Sequence, residues 1–414
     1  MLILYGANEI ATCCKTPGAR REDDGIIKNG SIAIDGEKII AVGPTARIAK
    51  RFRTSHARFL DVSGKIILPG FIDCHTHLVF GGSRADEYEH TLRGESYESV
   101  HKKGGGIHRT VKETRRSSEA LLFNAARARM REMLRRGTTT VEIKSGYGLS
   151  LRDELKILRV IRRLSRSEPQ DVIATFLGAH SVPREYKSKR DVYVRSIIAQ
   201  MLPAVQKSNL AEYCDVFCDP LGFSTAETRA ILARARALGF KLRIHAEQTR
   251  HFGGARLAAE FRASSADHCD FLTDSDIFWL KKSGVVATLL PGVLFHLMMR
   301  NSVRTRFIAK KLRTSSVPVA CATDYNPGSS PVLSLKLIMD MALRFLRMGY
   351  DECLRAVTIH AARSLDRADR IGSIEAGKQA DLLVTRADTV KDYCHDIGDR
   401  EFSHIVKRGR IIIP

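Results

Sequence analysis

The chain has 414 residues, of which 44% are hydrophobic and 27% charged, a balance that excludes a disordered or collagen-like chain and exceeds what one small core needs. Its net charge of +21 is large, but the basic residues are spread over successive helical stretches (Arg127, Arg129, Arg131, Arg135 and Arg136, then Arg159, Arg162, Arg163 and Arg166). Dispersed cations of this kind are expected to be solvated helix faces, with no nucleic-acid partner.

No apolar run reaches the roughly 18 residues that would span a bilayer, and no charged-then-apolar leader opens the chain. No membrane association and a cytoplasmic location are therefore expected. Nine cysteines, at 13, 14, 74, 214, 218, 269, 321, 353 and 394, form no spaced framework. They point to a reducing compartment. Cys214 and Cys218 have no second Cys or His cluster beside them and are expected to be small core residues.

In chain order, residues 1 to about 65 hold short strand-like runs. They are Leu2 to Tyr5, Ser31 to Ile34 and Glu37 to Val42, with Asp35-Gly36 between the last two as a two-residue hairpin turn. The run Ile66 to Ile72 follows, β-branched and apolar like a buried strand, and it closes in Asp73-Cys74-His75-Thr76-His77. Seven more strand-like runs come after it: Thr138 to Ile143, Asp171 to Leu177, Tyr213 to Cys218, Lys241 to His245, Ser264 to His268, Val285 to Leu290 and Val317 to Thr323.

Each gap carries a helical pattern, such as Ser118 to Arg136 closed by Gly137, or Thr225 to Leu238 closed by Gly239. The latter opens on a capping box, Ser224 with Glu227. Eight βα units over roughly 300 residues predict a (β/α)8 TIM-like barrel rather than an open sheet. The last fifty residues return to strand-like runs, Ala380 to Val384, His404 to Lys407 and Arg410 to Ile413. Neither end can bury a core alone, so both termini are expected to build one small β-sandwich. The division is then 1–65 plus 367–414 for the terminal domain and 66–366 for the barrel.

Barrels of this kind place their chemistry at strand C-termini. The residues there are His75 and His77 on the first strand, Tyr147 after the second, His180 after the third, His245 on the fifth, His268 on the sixth and Asp324 after the eighth. Histidines at i and i+2 share one face of a strand about 7 Å apart, close enough to hold one cation. Three imidazoles and a carboxylate, His75, His77, His245 and Asp324, make a nitrogen and oxygen donor set suited to one divalent ion, Zn²⁺ or Fe²⁺. His180 and His268 are then left for substrate and proton transfer, and Asp324 for proton relay as well.

The stretches Leu68-Pro-Gly-Phe-Ile-Asp-Cys-His-Thr-His, Ile244-His-Ala-Glu-Gln and Ala322-Thr-Asp-Tyr-Asn-Pro-Gly resemble the amidohydrolase superfamily. Four more, beginning at His77, Gly104, Glu142 and Phe176, are similar to its imidazolonepropionase branch. The resemblance implies hydrolysis of a small anionic substrate, 4-imidazolone-5-propanoate, by a metal-activated water, and relatives of this kind are often homodimers. It also implies substrate contacts from Arg84, Tyr147, His180, Gln248, Asn326, Gly328 and Ser329.

An aminohydrolase that deaminates an N-heterocycle is the alternative, although such an enzyme has no need of Arg84 to hold a carboxylate. Three positions depart from the resemblance. Gln248 cannot serve as a base, the segment from Phe295 to Arg306 lacks the usual proline, and His360 stands where a small polar residue is common. The glycines 104–106 are expected to form a flexible crossing over the barrel mouth.

Overall fold

The computed structural model describes residues 1–14, 25–52, 57–93, 105–298 and 302–413. Its strands form two sheets of eight. The first is built from both ends of the chain: β1 (Leu2–Ala11), β2 (Ile26–Asp35), β3 (Lys38–Pro44), β4 (Arg58–Asp61) and β5 (Lys65–Pro69), joined by β14 (Leu382–Arg386), β15 (Phe402–Lys407) and β16 (Arg410–Ile413). The second runs in strict sequence order: β6 (Phe71–Asp73), β7 (Thr138–Lys144), β8 (Asp171–Ala179), β9 (Tyr213–Cys218), β10 (Lys241–Ala246), β11 (Ser265–His268), β12 (Val286–Leu289) and β13 (Val319–Cys321). All its neighbours pair in parallel. Helices in the intervening segments cover its outside, and this is the TIM-like barrel that the alternation predicts.

The helices start and stop where local chemistry dictates. Glu119–Arg135 opens on Ser118, whose hydroxyl accepts from the Leu121 amide, and Thr225–Ala237 opens on the Ser224/Glu227 capping box. Gly137 (φ 89°) and Gly239 (φ 87°) follow these helices in the left-handed conformation that glycine adopts without steric cost.

One expected strand divides in two. Residues 66–72 do not run straight into the barrel: Lys65–Pro69 pairs with β1 and with β14 in the terminal sheet, and only Phe71–Asp73 belongs to the barrel. Gly70 is the joint. Its amide donates to the Asp381 carbonyl, and a Cβ there would overlap the side chain of Thr139 on β7. The run expected as one strand therefore divides at Gly70, because an apolar run cannot reveal which of two buried sheets it pairs with.

The barrel closes between β13 and β6 through a short bridge rather than a long ladder. The Asp324 amide donates to the His75 carbonyl and the His77 amide to the Tyr325 carbonyl, both at 3.0 Å. Asp73, fully buried, takes the Thr323 hydroxyl at 2.6 Å and the Thr323 amide at 3.2 Å. The terminal sheet is tied to the barrel's base by buried Lys407, whose ammonium lies 2.7 Å from Asp171 at the start of β8 and 2.6 Å from Asp381. All nine cysteines are free, Cys214 and Cys218 among the buried ones. No helix of the described residues is long and apolar enough to cross a membrane.

Candidate metal centre and active site

Alternation along the first strand's extension brings His75 and His77 to one side, and β10 brings His245 beside them. One ligand nitrogen from each lies within 4.8 Å of the others, and all three residues are buried. Asp324 completes the group, with Oδ1 3.4 Å from His75 Nε2 and 3.3 Å from His77 Nε2. It sits at φ 51°, and His268 at φ 76°, so two strand ends turn through the left-handed region to aim these side chains. Such conformations cost about 1–3 kcal/mol each and concentrate at functional sites.

The donor set fits a divalent cation. His75 Nε2, His245 Nε2 and Asp324 Oδ1 are all buried without a hydrogen-bond partner among the described residues, a loss that a shared ion would make good. Against the cost of burial and the repulsion of Lys144, the carboxylates of Asp267 and Asp324 at its two nitrogens hold His75 up at about 9. Burial alone would also raise Asp324, yet the imidazoles of His75 and His77 hold it well below the usual carboxylate range. The positive charge these carboxylates call for at Nε2 is what a bound cation supplies.

Five imidazoles and a phenol pack around this point. His180 stacks on His77 with ring centroids 4.8 Å apart, and His268 lies 5.3 Å from His245. Tyr147 is 5.8 Å from His77 and 5.5 Å from His180. Desolvation first, then the neighbouring imidazoles, push His180 well below its ordinary value. His268 is pushed the same way, chiefly by burial. His180 Nδ1 lies 3.1 Å from the Gly146 carbonyl. A carbonyl only accepts, so Nδ1 carries the proton and the neutral ring presents Nε2 as an acceptor.

Arg84, Asn326, Gly328 and Ser329 meet as a second group. Arg84 is buried against Gly328, where any Cβ would overlap its guanidinium, and its Nε donates to Glu87 at 2.8 Å. Asn326 organises its own turn: Nδ2 donates to the Asp324 carbonyl at 2.6 Å, and Oδ1 accepts from the Gly328 and Ser329 amides at 2.8 Å each. Its amide thus does turn work that leaves the Gly328 backbone open to Arg84.

Gln248 follows His245 by three residues and is partly exposed, and no hydrogen bond or ring contact among the described residues brings it to the cluster. His296, in the divergent stretch, stacks on Tyr88 at 4.0 Å, while 299–301 lie outside the described residues, as does Gly104 of the glycine run. His360 sits in the helix Ile359–Ser364 and contacts the Val319 carbonyl at 3.0 Å, a packing role.

Beneath the imidazoles lies a buried ionic layer that strand-end reasoning misses. Asp267 Oδ2 is 2.7 Å from His75 Nδ1, and Asp215 Oδ2 is 3.0 Å from His245 Nδ1. Arg243 donates to Asp267 and to the Cys74 carbonyl, and Lys144 joins Glu142 and Asp215. A sequence signal existed. Charged residues at alternate positions of β7, Glu142 and Lys144, and inside β9, β10 and β11, stand in strands otherwise too apolar to face water.

Comparison with known proteins gives the family and the fold. A model of the amidohydrolase family matches residues 66–412. The imidazolonepropionase of Geobacillus thermodenitrificans is 44% identical over 100% of this chain and 98% of its own. That of Fusobacterium nucleatum is 41% identical over 99% and 98%. Among solved structures, an adenosine deaminase from Xanthomonas campestris with bound zinc superposes with a TM-score of 0.73 at 19% identity, covering 100% of this chain and 92% of that one. An ochratoxinase from A. niger gives 0.73 at 15%, covering 100% and 95%, and both show a shared fold.

The chain belongs to the amidohydrolase family of metal-dependent hydrolases. Within that family it belongs with the imidazolonepropionases, which act on a cyclic amide C–N bond in histidine degradation.

Proposed function

We propose that the strand-end cluster hydrolyses 4-imidazolone-5-propanoate to N-formimidoyl-L-glutamate. The observation that carries this reading is the convergence of His75, His77, His245 and Asp324, with buried Arg84 packed on Gly328 in the turn that follows Asp324. His75, His77, His245 and Asp324 would hold one divalent ion, Zn²⁺ or Fe²⁺, since both accept this donor set. When bound, that ion supplies Lewis acidity, lowering the pKa of a water from about 15.7 toward about 7 and polarising the ring carbonyl.

Arg84, planar and always charged, binds the substrate carboxylate beside the turn that Asn326, Gly328 and Ser329 form. His180 accepts a ring N–H at Nε2, and Tyr147 closes the same side. His268 donates to the carbonyl oxygen as the carbon becomes tetrahedral. Asp324 takes the proton of the attacking water and delivers it to the ring nitrogen as the C–N bond breaks, so that water's hydroxyl ends on carbon and its proton on nitrogen. Gln248 takes no part in proton transfer and at most orients the ring. The same reading makes the protein cytoplasmic and a homodimer.

The test is metal analysis of the purified protein together with turnover of imidazolonepropanoate. One equivalent of metal and loss of substrate absorbance are expected, without ammonia. Ammonia released from purines or pyrimidines, with the imidazolone untouched, would instead establish the deaminase. Asp324→Asn should lower kcat by about 10²–10⁴-fold with the circular dichroism spectrum unchanged. Wild-type turnover in that variant refutes its proton-relay role.

A further inference from the structure

Lys144 ends β7 with its side chain fully buried, and its ammonium is surrounded by carboxylates. Nζ lies 2.9 Å from Glu142 Oε1, 2.9 Å from Asp215 Oδ2 and 3.9 Å from Asp267 Oδ2. Each of these acids reaches a different part of the histidine cluster. Asp215 meets Nδ1 of His245, and Asp267 meets Nδ1 of His75. Glu142 Oε2 accepts from the backbone amide of Thr76, the residue between His75 and His77, whose hydroxyl in turn donates to the Glu142 carbonyl. Lys144's own amide donates to the Thr76 carbonyl at 3.0 Å.

We propose that Lys144 is a positioning residue for the metal-binding imidazoles: one buried ammonium fixes three carboxylates, and through them the ring orientation of His75 and His245 and the backbone that carries His77. This rests on the reading of those three histidines as metal ligands. An ionised carboxylate accepts from Nδ1–H more strongly than a neutral carboxyl and offers no competing O–H, and a buried ionised carboxylate is held by a cation in contact. Asp267 has Arg243 at 3.2 Å as well as Lys144, whereas Lys144 is the one lysine or arginine in ion-pair contact with Asp215 among the described residues. The His245 arm therefore depends on Lys144 most. With Nδ1 protonated, each ring turns its Nε2 lone pair toward the site.

The proposal separates from a plain charge effect by sign. Removing a cation near a cluster of carboxylates should, by Coulomb's law alone, tighten the binding of a dication. Loss of positioning should loosen it.

The experiment loads the wild type, Lys144→Met, Asp215→Asn and the double variant with Co²⁺, and follows its release to a chelator together with its visible absorption. Expected are release about 10–100-fold faster in Lys144→Met, a similar change in Asp215→Asn, and a double variant no worse than the more affected single one. The Co²⁺ band should change shape, and thermal unfolding of the metal-free proteins should not account for the ranking. Lys144→Gln serves in the same comparison should the methionine variant fail to fold. Slower or unchanged release in a folded Lys144 variant, or additive effects in the double variant, overturns the proposal. A wild type that takes up no Co²⁺ instead overturns the ligand assignment beneath it.

Discussion

Asp270, two residues past His268, is 4% exposed and lies 3.4 Å from the Thr305 hydroxyl. Burial pushes its carboxyl up to about 8, with Thr305 opposing only in part. The folded protein thus holds this proton more tightly than the unfolded chain, whose carboxyl keeps the ordinary value of 3.8. The stability this confers is complete below that value and is lost as pH rises toward 8. Asp270→Asn keeps an oxygen for Thr305 and removes the titration, so the fall in Tm across that window should flatten in the variant. Parallel Tm-against-pH curves for variant and wild type would disprove the shift. The same contrast between apolar surroundings and a charged side chain explains what was readable at single residues. Histidines at strand ends announce themselves by type, while Asp215, Asp267 and Lys144 read like any solvent-facing charge until burial is known. Asn326 is expected as a substrate contact, and its amide also organises the turn that carries Gly328 and Ser329.

At the level of elements, parallel strands buried on both faces leave continuous apolar runs, which is why Tyr213–Cys218 is found as expected and most others shift by a residue or two. The run 66–72 misled because two buried sheets make the same demand on composition. The break at Gly70 carries a prediction. A Cβ at this position would overlap Oγ1 and Cγ2 of Thr139, whose hydroxyl donates to the Phe71 carbonyl and so has little room to turn away. Gly70→Ala should destabilise the fold by about 1–3 kcal/mol, read from the urea midpoint, as overpacking does. Thr139→Ala in the same chain should return part of it, because the obstacle is that one side chain. A Gly70→Ala protein as stable as wild type would show that the two sheets do not need so close an approach.

Across the whole molecule, the proposed metal ligands join distant parts of the chain. His75 and His77 follow β6, His245 ends β10, and Asp324 follows β13 at the point where the barrel closes on itself. That closure is a short bridge with Asp73 and Thr323 beneath it, so an ion held by both sides of the seam acts where the backbone ladder is thinnest. An ion that binds the folded barrel and not the unfolded chain stabilises it by about 2.7 kcal/mol at a hundred times its dissociation constant. Chelation should therefore lower Tm, and readdition of Zn²⁺ should raise it in a concentration-dependent way. The increment should shrink in Asp324→Asn, which keeps the three imidazoles on their strands but takes a charged ligand from the far side of the seam. If a chelator strips the metal, as elemental analysis would show, and Tm stays where it was, then the barrel closes without help and the cation serves chemistry alone.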